Sequence, residues 1–165
     1  MVEKFFPNEV VDSVKDINLD SLAEKRIKGL ILDVDNTLAP KFRTEADNEI
    51  VLWIEKAKNK GFKLCIVSNA SKERVEKFND KLGLTAIYRA VKPWKRSYKR
   101  ALKMLNLKAY ETAAIGDQIF TDVYGGNRLG IYTIFVKPIH KEKSLFNRLK
   151  RKFEGYIFDR YYKMN

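Results

Sequence analysis

The run Leu30-Ile31-Leu32-Asp33-Val34-Asp35-Asn36-Thr37-Leu38 closes an apolar stretch with two carboxylates spaced two apart. In a strand, residues i and i+2 project to the same side, so Asp33 and Asp35 address one site beyond the strand's end. Two acids crowded there repel each other and lose hydration, a cost that a cation or a proton must offset. The chemistry that such a pair suits is phosphoryl transfer through an aspartyl intermediate: one carboxylate attacks and the other shuttles a proton. The spacing alone is a short motif, because aspartate pairs also end strands as turn formers and helix caps. Five further positions add weight: Ser68 with Asn69, then Lys92, then Asp117 with Asp122.

Each of these groups falls at the end of an apolar run or in the loop just after one. The first strand, the run Leu30-Ile31-Leu32, leads through Ala39-Pro40-Lys41 to Thr44, read as the N-cap of a helix with acids in its first turn. Ile50, Trp53, Ile54 and Ala57 recur at helical spacing, and Gly61 stands where a helix ends. A second strand from Phe62 to Val67 stops at Ser68-Asn69, and Ser71 caps the next helix, through Val75, Phe78 and Leu82. A short strand around Ile87-Tyr88 leads to Lys92-Pro93, and a helix follows near Ser97–Leu105. A strand at Ala113–Ile115 ends in Gly116-Asp117, a helix begins after Gln118, and the last strand runs from Ile131 to Val136. Val10, Val11, Val14 and Ile17 read as an opening amphipathic helix. Strands alternating with helices through short loops predict right-handed crossovers and an α/β fold with a parallel sheet of about five strands. Ligands of such sheets sit beyond the carboxyl ends of the strands, where the candidate groups converge.

At 165 residues the chain is read as one domain, 1–165, with a core at about 29–136 and a basic helical tail at about 141–165. A hydrophobic fraction of 45% and an aromatic fraction of 12% exclude a disordered chain despite 33% charged residues. One cysteine excludes an internal disulfide and a cysteine-rich zinc site, and Cys65 reads as a small buried strand residue. No apolar stretch approaches eighteen residues, and Phe5-Phe6 runs straight into Pro7, so a cytoplasmic location is expected.

The formal net charge is +12, and residues 137–165 carry half of it, with nine Lys or Arg against three acids. Such a basic, aromatic-rich tail points either to an anionic surface, phospholipid at the inner membrane face or nucleic acid, or equally to a solubilising lysine-rich surface with no partner. On a helix, Phe146, Leu149, Phe153 and Ile157 line one face, flanked by Arg148, Lys150, Arg151 and Lys152. That face would lie on anionic lipid or pack against the sheet with its basic side in water. Packing is the expected use, although Gly155 weakens a continuous helix by about 1 kcal/mol relative to Ala. His140 reads as a surface residue.

Taken in order and on these elements, Asp33-Val34-Asp35-Asn36-Thr37-Leu38, Val67-Ser68-Asn69, Lys92-Pro93 and Gly116-Asp117-Gln118-Ile119-Phe120-Thr121-Asp122 resemble the four motifs of the haloacid dehalogenase-like (HAD) hydrolases, subfamily IIIA. Gly125-Gly126-Asn127-Arg128-Leu129-Gly130 is similar to the YqeG-type branch, itself similar to phosphatases that make phosphatidylglycerol from phosphatidylglycerophosphate. The resemblance implies a Rossmannoid three-layer sandwich with no cap domain, since only about 30 and 20 residues separate successive motifs. It implies Asp33 as nucleophile and Asp35 as general acid and base, with Ser68, Asn69 and Lys92 binding phosphate. It further implies Mg²⁺ held by the Asp33 carboxylate, the Asp35 backbone carbonyl and Asp117, with Asp122 acting on metal or water. Subfamily members with a Cys/His zinc loop are set aside, because one cysteine and one histidine cannot build it. The expected activity is Mg²⁺-dependent phosphomonoester hydrolysis, with phosphatidylglycerophosphate the preferred substrate. Two rivals are a phosphatase of a soluble sugar phosphate or nucleotide, and a non-catalytic scaffold of this fold that binds RNA or protein.

Overall fold

The computed structural model describes residues 2–140 and 145–164, with the side chains of the last segment described from Lys152 onward. Six strands form one sheet: β1 (Glu9–Val11), β2 (Gly29–Leu32), β3 (Lys63–Val67), β4 (Thr85–Ile87), β5 (Thr112–Gly116) and β6 (Tyr132–Val136). Their order is β1-β6-β5-β2-β3-β4, and every neighbouring pair is parallel. The chain thus begins its central winding at β2, moves outward to β4 on one side, then crosses back to β5 and β6 on the other. Leu32 lies opposite both Ile66 and Ile115, so β2 sits at the order reversal with its carboxyl end between two strand ends.

Alternation along β2 builds the layers. Leu30 and Leu32 face one core, with Ile54 and Phe78 of α2 (Asn48–Asn59) and α3 (Lys72–Asn79). Ile31 faces the other, with Tyr98, Ala101 and Leu105 of α4 (Lys95–Leu105). Both faces are therefore covered, which is why every residue of β2 is apolar or glycine and buried. Shortening Leu30 or Leu32 to Ala would cost about 2–5 kcal/mol. Cys65 is buried in the second core, and desolvation pushes its thiol up to about 11.

Three sequence expectations change. Val10 and Val11 lie in β1, an edge strand whose Glu9, Val10 and Val11 lie opposite Ile134, Phe135 and Val136, and not in a helix. Their β-branched side chains suit a strand, and the helical periodicity shared with Val14 and Ile17 came from a 3-10 turn at Val14–Asp16 and the loop after it. The N-cap of α2 is Asp47, whose carboxylate accepts from the Ile50 N–H at 2.9 Å, three residues after Thr44. The stretch after Gln118 is not one regular helix: a single π-type turn at Ile119–Val123 runs into the short α5 (Tyr124–Asn127).

The first helix, α1 (Leu19–Glu24), is capped by Asn18 and buries Leu19 and Leu22. The last, α6 (Leu145–Met164), continues through Gly155. Its Ile157 is buried, and Phe158 packs edge-on to Phe135 of β6 with ring centroids 5.0 Å apart, while Phe6 meets Tyr161 at 5.9 Å. The later half of the tail thus packs against the fold, whereas Phe153 is exposed and does not share the buried face. Phe146, Leu149, Arg148, Lys150 and Arg151 lie outside the described side chains. Among the described residues no helix is long and apolar enough to cross a membrane.

Candidate active site

Beyond Leu32 the chain turns sharply. The Leu38 N–H returns to the Val34 carbonyl at 3.0 Å, and Asn36 takes a left-handed φ of 61°, which asparagine tolerates better than most side chains. This turn separates the two acids that share a strand spacing. Asp33 stays buried, its N–H bonded to the Ile115 carbonyl of β5 at 3.0 Å, while Asp35 stands half-buried on the wall of a cleft.

Lys92 enters from the loop after β4. Its ammonium is 2.8 Å from Asp33 Oδ1 and 2.5 Å from Asp122 Oδ1, with all three side chains almost wholly enclosed. Burial alone would pull the Lys92 pKa down, but Asp122 and then Asp33 outweigh it and hold the ammonium above its ordinary range. The backbone of this loop is fastened by Asn69, whose Oδ1 accepts the Lys92 N–H at 2.7 Å and whose amide donates to the Lys92 carbonyl at 3.4 Å. Asn69 here positions the lysine. Ser68 is buried at the end of β3, where its Oγ accepts the Ala70 N–H at 3.2 Å.

Carboxylate oxygens of Asp33, Asp117 and Asp122 all lie within 4.8 Å of one another. Three buried acids facing one ammonium leave a deficit of positive charge. Burial, and then Asp122 and Asp33, push the Asp117 carboxyl up to about 8. Burial also raises Asp122, to about 6, although Lys92 pulls it back. Oxygen donors this close fit a small, hard divalent cation.

Asp122 reaches the trio because Gly116 has no side chain: a Cβ there would stand 2.2 Å from Asp122 Cγ. On the far side, the buried Tyr98 hydroxyl donates to the Thr121 carbonyl at 3.2 Å, and a Cβ on Gly125 would strike the Tyr98 ring at 2.6 Å. The two glycines and the tyrosine thus set the depth of the π-type turn that carries Asp122.

Asp35 is not part of the trio. It forms an ion pair with Arg74 of α3, Nη2 to Oδ1 at 3.1 Å. Burial, with help from Asp33, raises the Asp35 carboxyl above its ordinary value, and Arg74 works against that shift. A raised carboxyl keeps its proton longer, which suits an acid catalyst. Asp33, Asp35, Lys41, Ser68, Asn69 and Lys92 line one cleft of about 220 Å³, together with Gln118 and Thr121.

All seven residues expected from the sequence thus lie at this end of the sheet. Arg74, Tyr98 and Thr37, whose Oγ1 donates to Asp117 Oδ1 at 3.4 Å, were not foreseen. Thr37 lies inside the first motif, so its hydroxyl was legible there. Arg74 and Tyr98 are helix residues whose spacing carries no signal of what they meet.

A profile of the haloacid dehalogenase-like hydrolases matches residues 43–130. The chain is 40% identical over 158 residues to the "Probable phosphatase YqeG" of Bacillus subtilis (strain 168), covering 95% of this chain and 92% of that protein. It is 24% identical over 149 residues to the phosphatidylglycerophosphate phosphatase 1, chloroplastic/mitochondrial, of Arabidopsis thaliana, covering 85% of this chain but only 43% of that protein. Among solved structures, the cobalt-bound deoxy-D-mannose-octulosonate 8-phosphate phosphatase of Haemophilus influenzae superposes with a TM-score of 0.57 at 15% identity, over 83% of this chain and 90% of its own. Sheet order, buried acids and these likenesses agree: the chain belongs to the haloacid dehalogenase-like hydrolases, among that family's phosphatases.

Proposed function

We propose that the protein hydrolyses a phosphomonoester through an aspartyl-phosphate on Asp33, with Mg²⁺ as its metal and phosphatidylglycerophosphate as its substrate. The observation that carries this reading is the buried trio of Asp33, Asp117 and Asp122, with Lys92 between Asp33 and Asp122, beside a cleft walled by Asp35 and Ser68. Asp33, Asp117 and Asp122 would hold the metal, which supplies positive charge to the phosphoryl oxygens during transfer.

The chain's own groups do the rest. Asp33 Oδ attacks phosphorus and the ester oxygen leaves with a proton from Asp35. Asp35 then takes a proton from the water that cleaves the aspartyl-phosphate, returning Asp33 as a carboxylate and releasing phosphate. Lys92 offsets the charge that gathers between Asp33 and the phosphoryl group, and Ser68 offers its hydroxyl to a phosphate oxygen. Arg74 sets the balance on Asp35, near enough to keep it ionisable while burial keeps it a proton donor.

Two features support the lipid substrate: the likeness to the Arabidopsis phosphatase, and the single helix in each connection after β2 and β3, which leaves the cleft approachable from outside. The test is phosphate release from phosphatidylglycerophosphate in mixed micelles beside soluble phosphomonoesters, with Mg²⁺ and with EDTA. Turnover of the lipid that needs Mg²⁺ and falls at least about 10³-fold in Asp33→Asn is expected. Turnover of soluble esters alone would keep the chemistry and remove the lipid.

A further inference from the structure

The loops around the cleft carry apolar side chains that no core takes up. Phe42, Val91, Trp94 and Ile139 are 75%, 61%, 66% and 46% exposed. They follow β2, β4 and β6, which all end at the catalytic edge of the parallel sheet. From β6 to β4 is four strand spacings, a belt of roughly 19 Å at about 4.8 Å per spacing. The belt adjoins the chemistry along the chain: Lys41, next to Phe42, lines the cleft, Val91 precedes Lys92, and the Ile139 N–H bonds to the Asn36 carbonyl at 3.1 Å. Single exposed apolar residues are ordinary, but a group of them around one cleft marks an interaction surface.

Val91 supplies a second observation. Its φ is 54°, a left-handed conformation that is costly for a β-branched residue. The conformation is held by the Trp94 N–H on the Val91 carbonyl at 3.1 Å and by the Asn69 clamp on Lys92. Asparagine or glycine would suit this backbone better, and an isopropyl group in water adds nothing to the fold.

Charge then selects the partner. Residues 88–96 read Tyr-Arg-Ala-Val-Lys-Pro-Trp-Lys-Arg, without an acid, and Arg89, Lys95 and Arg96 are exposed. Lys137, beside Ile139, is taken by Asp12, and the acids of the Phe42 loop, Glu45 and Asp47, are taken by Lys81 and Arg43, so the basic character of the rim comes from residues 88–96. The partner must be anionic outside and apolar beneath. Phe42 and Trp94 could stack on bases, but Val91 and Ile139 of the same belt are aliphatic, and a mixed aliphatic and aromatic belt suits a lipid boundary better than a stacking track.

We propose that this rim docks on an anionic phospholipid bilayer, with Phe42, Val91, Trp94 and Ile139 entering the headgroup boundary and Arg89, Lys95 and Arg96 meeting lipid phosphates. The inference rests on the phosphatase reading and deepens it: the scissile phosphate reaches Asp33 from the surface on which the rim sits. It moves the membrane contact from the tail to the catalytic edge, since Ile157 and Phe158 of α6 are taken up in packing.

Tryptophan emission of the full chain tests this directly. Trp53 is 6% exposed and Trp94 66%, so a blue shift on adding vesicles reports Trp94 leaving water. The shift and co-sedimentation are expected with vesicles of phosphatidylcholine plus phosphatidylglycerol, and not with phosphatidylcholine alone. Val91→Asn, which suits the backbone better, and Lys95→Glu with Arg96→Glu should each weaken vesicle binding at least about tenfold, the charge effect being roughly fivefold per basic residue. Their turnover of p-nitrophenyl phosphate should stay within about twofold, since neither site belongs to the catalytic group. No shift and no sedimentation, with soluble turnover intact, would overturn the docking surface and leave the phosphatase reading standing. Vesicle binding with no turnover of any ester would uphold the surface and remove the phosphatase reading. Retention of a uridine oligonucleotide without vesicle binding, lost in the same variants, would reassign the rim to nucleic acid.

Discussion

The two ends of the sheet differ in a way that volume alone misleads. At the amino end, hollows of about 740 and 490 Å³ meet across Ile27 and Tyr110, each larger than the cleft of about 220 Å³ at the carboxyl end. Yet the charged residues lining the large hollows are not buried: Lys4, Lys25, Arg26, Lys28 and Lys60 reach into water. Lys28 spends its charge on Glu111 at 2.7 Å, and Lys60 on Asp20. At the carboxyl end Asp33, Lys92, Asp117 and Asp122 are all enclosed. The lesson is that burial of unbalanced charge, which the fold tolerates only where something else is gained, marks chemistry better than space does.

Removing the central cation should have the largest effect. Lys92→Ala leaves Asp33 and Asp122 enclosed without their partner, which should destabilise the fold by about 3–5 kcal/mol in chemical denaturation, and Mg²⁺ should restore part of the loss. A variant as stable as the parent without metal would mean that the acids are already protonated and the contrast between the two ends overstated.

The next effect is on pH and metal together. Asp117, pushed up to about 8 in the fold, titrates near 3.9 when unfolded. Between those values the folded chain binds more protons, so this group makes metal-free stability fall as pH rises from about 4 to about 8. A divalent cation displaces those protons. Mg²⁺ should therefore raise the melting temperature more at pH 8 than at pH 6, and an increment independent of pH would separate the trio from the metal.

The smallest effect belongs to the other end. Tyr110 is 65% exposed between the two hollows, so Tyr110→Ala should change stability by less than about 0.5 kcal/mol. Phosphate release should stay within about twofold. A tenfold fall in turnover would show that the large hollows serve the reaction and would undo the comparison.

Much of this was legible in the sequence, for local reasons. Ser71 was read as a cap and does accept the Arg74 N–H at 3.3 Å, and Gly61 ends α2 at a φ of 88°. The candidate acids stood at strand ends because the runs of β2 and β5 are fully buried and stop abruptly. The edge strand β1 was misread, since three residues, all half-buried, carry no period of their own. Thr44 carries a capping hydroxyl, but the cap falls three residues later at Asp47, whose carboxylate takes the Ile50 N–H, and α2 begins after it.

The sequence by itself determined the alternation of strands and helices from β2 to β6, the polar groups at those strand ends and the family those groups resemble, because backbone periodicity and capping act over a few residues. Only the tertiary structure decided that Lys92 bridges acids 59 and 30 positions away, that Arg74 stands against Asp35, and that Gly116 makes room for Asp122. Those meetings depend on which strands are neighbours and in what register, and no spacing along the chain encodes how far a side chain reaches across a sheet.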